Sequence, residues 1–135
     1  MTPRISLLVA SLHVVLYLVL AMRVVLHRKA RNIGVGTGGD PMLTRKVRVH
    51  ANFGEYVPLA LLMLALLELA AVSTTWLWTF GIALLVARVL HAVGLGGSSG
   101  YSLGRFAGTL LTFITLLAMA ALGIWRFVAG AMLVA

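Results

Sequence analysis

Apolar residues run through this chain in four long blocks, separated by short polar segments. A hydrocarbon layer of about 30 Å needs roughly 20 residues of helix to cross it. The first block, residues 5–26, meets that length, and its apolar core is too long for a signal peptide with no small-residue cleavage site. His27 to Gly39 reads as a basic loop made flexible by Gly34, Gly36, Gly38 and Gly39. Asp40-Pro41 has the form of an N-cap followed by proline at the first helical position. It predicts a second helix over residues 41–72. Such a helix is roughly 45–50 Å long, so its first turns, with Arg45, Lys46 and Arg48, project beyond the hydrocarbon. Ser73 to Thr75 predicts a tight turn, and residues 75–91 a third helix with Trp76 and Trp78 in an interfacial belt. Gly94 to Gly100 reads as a second flexible loop, and residues 103–133 as a fourth helix ending near Trp125 and Arg126. The expected fold is all-α: one integral membrane four-helix bundle over residues 1–135.

The polar interruptions inside these blocks carry the chemistry. Arg48, Asn52, Glu55 and Tyr56 stand at i, i+4, i+7 and i+8, one stripe of a helix. To complete the second span, the helix draws Glu55 to the edge of the hydrocarbon. A carboxylate there costs on the order of 2–3 kcal/mol unless it faces protein, a cation or a wet cavity. Pro58 removes one backbone donor and leaves the Gly54 carbonyl without its usual partner. A bend there would open space beside Glu55. Glu68 is expected at the far interface or against a polar group of a neighbouring helix, and His13 between helices as a neutral hydrogen-bonding residue. Gly104, Gly108 and Thr112 recur every four residues, a stripe that lets helices approach closely.

Composition narrows the class. Of 135 residues, 61% are hydrophobic and 10% charged, which excludes an ordinary soluble domain. The net charge of +8 is concentrated around the first loop, at Arg23, Arg28, Lys29, Arg31, Arg45, Lys46 and Arg48. Basic residues collect on the cytoplasmic side of spans, so both termini are expected outside and this end inside. The cluster lacks interleaved aromatics and sits tight against membrane segments, which argues against nucleic acid. The glycine-rich loop has no preceding strand and no Gly-Lys-Ser/Thr, so its signal for a phosphate cradle is weak. With no cysteine there is no disulfide, no thiolate metal site and no cysteine nucleophile; any thiol must arrive with a substrate. No metal is expected. Short loops and the lack of a retention signal point to a bacterial inner membrane.

The predicted topology brings Arg48, Glu55, Arg88, His91 and Arg105 from three helices to one membrane level. Arginines hold carboxylates or stabilise an anion, Glu55 accepts from an ammonium group, and Asn52 and Tyr56 add neutral hydrogen bonds. The set suits a zwitterionic, peptide-like thiol such as glutathione, whose thiolate a nearby cation would favour. Two other readings remain compatible with the residues: a small proton-coupled exporter using Glu55, and a non-catalytic membrane assembly subunit.

Arg48-x-x-x-Asn52-x-x-Glu55-Tyr56-x-Pro58-Leu59 resembles the signature of the MAPEG family, membrane-associated proteins in eicosanoid and glutathione metabolism. The Gly-Gly-Asp-Pro entry to helix 2, Ala87-Arg88 in helix 3 and Arg105 opening helix 4 extend the resemblance over most of the chain. It implies a homotrimer of four-helix subunits that binds glutathione as co-substrate between neighbours near the cytoplasmic face. The implied activity is attack of its thiolate on lipophilic electrophiles that enter from the bilayer, as a detoxifying transferase or peroxidase. By motif match, Arg48, Asn52, Glu55 and Tyr56 would bind glutathione, joined by Arg28 and Arg88, and Arg105 would stabilise the thiolate. Two tyrosines that follow the helix 3 arginine in eicosanoid-processing members are replaced here by His91 and Leu95. His91 can still offer a hydrogen bond to glutathione and Leu95 cannot, which turns the expectation toward general detoxification.

Overall fold

The computed structural model describes residues 2–97 and 102–132, with side chains 95–97 and 131–132 excepted. Its elements are α1 (Arg4–Arg31), α2 (Pro41–Leu69), α3 (Thr74–Gly97) and α4 (Leu103–Met132). All four are long and apolar enough to cross a membrane. The chain is an integral membrane four-helix bundle. α3 and α4 pair most extensively, α1 packs on α2 and α3, and α2 also meets α4. Among the described residues α1 and α4 do not pair, so they flank the bundle on opposite sides.

Packing follows the logic of a lipid solvent. One core of Ala60, Leu64, Leu77, Phe80, Leu84 and Met119 fills the end away from the basic loop. A second, with Leu20, Val49, Phe53, Val57 and Ala92, lies nearer the basic end. Leucines, valines and phenylalanines such as Leu7, Val15, Leu62, Val93, Phe113 and Leu117 are exposed, which water would penalise and acyl chains do not. Trp76 and Trp78 are exposed in the first turns of α3, as suits an interfacial belt.

Helix ends depart from the sequence reading where polar groups offer a cap. α1 does not stop at 26 but continues through Arg31. Arg28, Lys29 and Arg31 in its last turn complement the negative end of the helix dipole. Asn32 closes it in the left-handed region (φ 53°), with its backbone N–H donating to the Lys29 carbonyl and that of Ile33 to the Arg28 carbonyl. α2 ends at Leu69, three residues short of 72, where Ala70 caps it and Ala71 takes a positive φ of 57°. α3 extends past 91 to Gly97, so Gly94 is helical and not part of a loop; residues 98–100 lie outside the described set, as does the expected helix end at 133. A Cβ at Gly94 would overlap the backbone of Gly104 and Arg105, so this glycine serves close helix contact. Gly108 does the same: a Cβ there would come 2.6 Å from the Ala87 carbonyl and the His91 nitrogen. Gly108→Ala is therefore expected to lower stability by about 1–3 kcal/mol, because backbone on both sides cannot yield; thermal unfolding in detergent measures it.

Two carboxylates act as caps. Glu68, near the end of α2, accepts the Ile5 N–H at 2.9 Å and the Ser6 N–H at 2.7 Å, closing the first turn of α1. Its partner is thus the backbone of a neighbouring helix. Asp40 caps α2 through Oδ1, which accepts from Met42 and Leu43 N–H at 2.8 and 3.0 Å. Its Oδ2 accepts from His27 Nε2 at 2.9 Å, with Arg31 Nε 3.6 Å away. Lys46 Nζ donates to His27 Nδ1 at 2.9 Å, which leaves the ring proton on Nε2 for Asp40. The sequence reading missed this clamp across the loop. The His27 hydrogen bond, then the Leu43 amide, holds the Asp40 carboxyl down to about 2 from its ordinary 3.8. A carboxyl lowered on folding stabilises above its unfolded value and loses that contribution as pH falls through its folded one. Amide exchange at Met42 and Leu43 is expected to lose protection between pH 4 and 2, and the loss should be absent in Asp40→Asn.

Candidate functional site

α3 carries Arg88 into the middle of the bundle, where it is 2% exposed. Its Nη1 donates to Asn52 Oδ1 on α2 at 2.8 Å. Its Nη2 donates to the Gly108 carbonyl on α4 at 3.3 Å and to Thr112 Oγ1. Thr112 in turn donates its hydroxyl hydrogen to the Gly108 carbonyl at 2.7 Å, which orients its oxygen lone pairs toward the guanidinium. The Tyr56 ring lies 5.9 Å from the Arg88 guanidinium carbon, within cation–π range, and packs against Phe113 at 5.4 Å. One arginine thus joins three helices.

The electrostatics of this knot are one-sided. All of its acceptors among the described residues are neutral, and Arg88 Nε is buried with no partner among them. The ion pairs among the described residues both involve Asp40, in the loop before α2, and not Arg88. Isolated charges are among the most expensive groups to bury in a low-dielectric interior, and neutral hydrogen bonds recover only part of that cost. The site therefore has a standing attraction for an anion. His91, one turn along α3, is buried against the Gly108 backbone.

The structure divides the residues singled out from sequence. Asn52, Tyr56 and Arg88 come together within the bundle, with His91 beside them. Arg48 and Glu55 do not join them: both are exposed on the outer side of α2. Arg28 is half-buried near the end of α1, its Nε without a partner among the described residues, and takes no part in the Arg88 knot. Arg105 stands half-buried in the first turn of α4, with no hydrogen bond to another described residue. The Leu95 side chain lies outside the described set. Sequence reasoning treated Gly108 and Thr112 as packing alone; their i, i+4 spacing opposite a buried arginine was the available signal.

Comparison with known proteins agrees with this architecture. The MAPEG family model matches residues 6–125. Two relatives, each named inner membrane protein YecN, come from Escherichia coli strain K12 and from Escherichia coli O6:H1. Each is 30% identical over 124 residues, covering 87% of this chain and 92% of the relative. With the helix 2 motif placed against a buried helix 3 arginine and the match running through nearly the whole bundle, the chain belongs to the MAPEG family.

Proposed function

We propose that this protein is a membrane-bound glutathione transferase or peroxidase of general, detoxifying type. The observation that carries the reading is the Arg88 guanidinium, buried, held only by neutral acceptors and lacking a carboxylate partner among the described residues. An anionic co-substrate with two carboxylates supplies what is missing. Arg105, whose side chain has no hydrogen bond to another described residue, stands in the first turn of α4, where the helix dipole also favours negative charge. There it stabilises the thiolate, whose sulfur attacks an electrophilic carbon while the leaving group departs with the bonding pair.

Arg48 and Glu55 fit this reading in an assembly. A carboxylate on the lipid-facing surface of a span is costly, and a second copy of the chain that meets it with a cation removes the cost. We therefore place the binding site between subunits of a homotrimer, with Arg28, Arg48, Asn52, Glu55, Tyr56, Arg88 and His91 as glutathione ligands. The basic residues around the first loop set that face toward the cytoplasm and both termini outside. The name of the relatives supports an inner membrane location. Calorimetry of the purified protein with glutathione, followed by conjugation to a lipophilic aryl halide, tests the activity. Submillimolar binding with turnover is expected. No binding up to millimolar concentrations would sink the reading. Native mass spectrometry tests the trimer separately.

A further inference from the structure

At the basic end of the bundle, α1, the first loop and α2 meet on one imidazole. His27 Nε2 donates to Asp40 Oδ2 at 2.9 Å, and Nδ1 accepts from Lys46 Nζ at 2.9 Å. Both ring nitrogens are taken, one by an anion and one by a cation. The His27 side chain is 12% exposed and that of Asp40 17%, so solvent ions screen these contacts little. Arg31 Nε stands 3.6 Å from the same Asp40 oxygen, and Arg23 borders the same small gap as Lys46. Arg28 and Lys29 follow the ring on α1, and Arg45 precedes Lys46 on α2. Among the described residues, no side chain of α3 or α4 hydrogen-bonds or ion-pairs with His27, Asp40 or Lys46.

The two contacts make opposite demands on the ring. A neutral imidazole has one N–H and one lone pair, and here the first serves Asp40 and the second serves Lys46. An imidazolium has two N–H groups and no lone pair. A second proton would sit on Nδ1, 2.9 Å from an ammonium group that also only donates. That contact turns from a hydrogen bond into a repulsion between like charges, while the contact with Asp40 becomes an ion pair. Protonation of the ring and the Lys46 bond therefore exclude each other. The group that yields is Lys46, on its flexible four-carbon stem. Lys46 is also one wall of a gap of only about 10 Å³, shared with Leu20, Arg23 and Val49. Leu20 and Val49 belong to the apolar core at this end. A space of that size holds one water at most; with Lys46 turned away, water reaches the core.

We propose that His27 is a pH-operated latch on the seam between α1 and α2: neutral, it holds both Asp40 and Lys46, and protonated, it keeps Asp40 and releases Lys46. The geometry sets the sign. The Lys46 bond is present at the higher pH and is lost as pH falls. The stronger contact with Asp40 offsets the loss, so acid opens the mouth of the seam and frees a cation there without unfolding the bundle. None of the Arg88 knot takes part, so the latch stands or fails apart from glutathione binding.

The chain has two lysines, Lys46 in the latch and Lys29, which is exposed on α1, so one reports on the latch and the other serves as its internal control. Full-length protein in phosphatidylcholine nanodiscs is labelled by reductive methylation with formaldehyde, and peptide mass spectrometry reads the rate at each lysine. Their ratio cancels the pH dependence of the reagent. In the wild-type protein Lys46 is expected to react more slowly than Lys29 at about pH 7.5, and the ratio to rise about tenfold toward about pH 5. In His27→Gln the amide oxygen still accepts from Lys46 and the amide N–H still donates to Asp40, but the side chain takes no proton. Its ratio should stay low throughout. In His27→Phe, which offers no acceptor, the ratio should be high throughout. A wild-type ratio that does not change with pH, or one that rises as much in His27→Gln, would overturn the proposal.

Discussion

Replacing Arg105 by alanine is expected to cut glutathione-dependent turnover roughly 100- to 1000-fold, while the glutathione Kd changes less than about tenfold. The asymmetry follows from where the side chain stands. Arg105 is half-buried, and its guanidinium makes no hydrogen bond to another described residue. It sits in the first turn of α4, where its charge adds to the positive end of the helix dipole. A cation at that point acts on the sulfur, whose charge appears only on ionisation, and less on the carboxylates, which are charged throughout. The pH profile separates this role from a structural one. A free thiol ionises near about 8.5, so turnover by Arg105→Ala should climb about tenfold per pH unit toward that value. The wild-type rate should flatten earlier. An unchanged kcat with a weakened Kd would make Arg105 a binding residue and not the group that sustains the thiolate.

The bundle was legible because hydropathy alone identifies spans: nothing else in water or lipid accounts for four apolar blocks of this length. Helix ends were less legible because they depend on caps supplied from elsewhere. Arg28, Lys29 and Arg31 read as loop residues, yet they extend α1 by complementing its dipole. Gly94 read as a loop residue because glycine signals flexibility in sequence, whereas its role is to let α3 and α4 touch backbone to backbone. The Asp40-Pro41 start of α2 was readable since the cap and the helix are neighbours in sequence. The cap of α1 was not, because Glu68 reaches it from more than sixty positions away.

The candidate site was half legible for a related reason. A helical stripe shows which residues share a side of α2, but not which edge of that stripe faces inward. Asn52 and Tyr56, four residues apart, turn to Arg88; Arg48 and Glu55 remain outside. Periodicity fixes only the shared stripe, and which edge of it turns inward depends on the packing of α2 against α3 and α4. The knot on α4 escaped notice because a glycine carbonyl carries no signal in sequence, and Thr112 reads as a small residue until an arginine is seen opposite.

Arg88→Met is the substitution that most sharply separates a ligand site from a structural strut. In the protein without ligand, the change removes a desolvated charge that has no anionic partner among the described residues, which favours the variant. It also deprives Asn52 Oδ1 of its donor, but Asn52 is half-buried and can turn to water, and Thr112 keeps its bond to the Gly108 carbonyl. These effects oppose each other, so unfolding free energy is expected to shift by no more than about 2 kcal/mol in either direction. Glutathione binding has no such compensation. Truncating one partner of a desolvated ionic contact costs about 2–5 kcal/mol, so the Kd should weaken by about 30-fold or more. Glutathione at a hundred times its Kd stabilises a folded protein by about 2.7 kcal/mol. The wild-type protein should show that rise in thermal stability, and Arg88→Met should not. If the variant instead loses more than about 4 kcal/mol without ligand and still gains stability from glutathione, Arg88 serves to lock α2, α3 and α4 together, and the anion binds elsewhere.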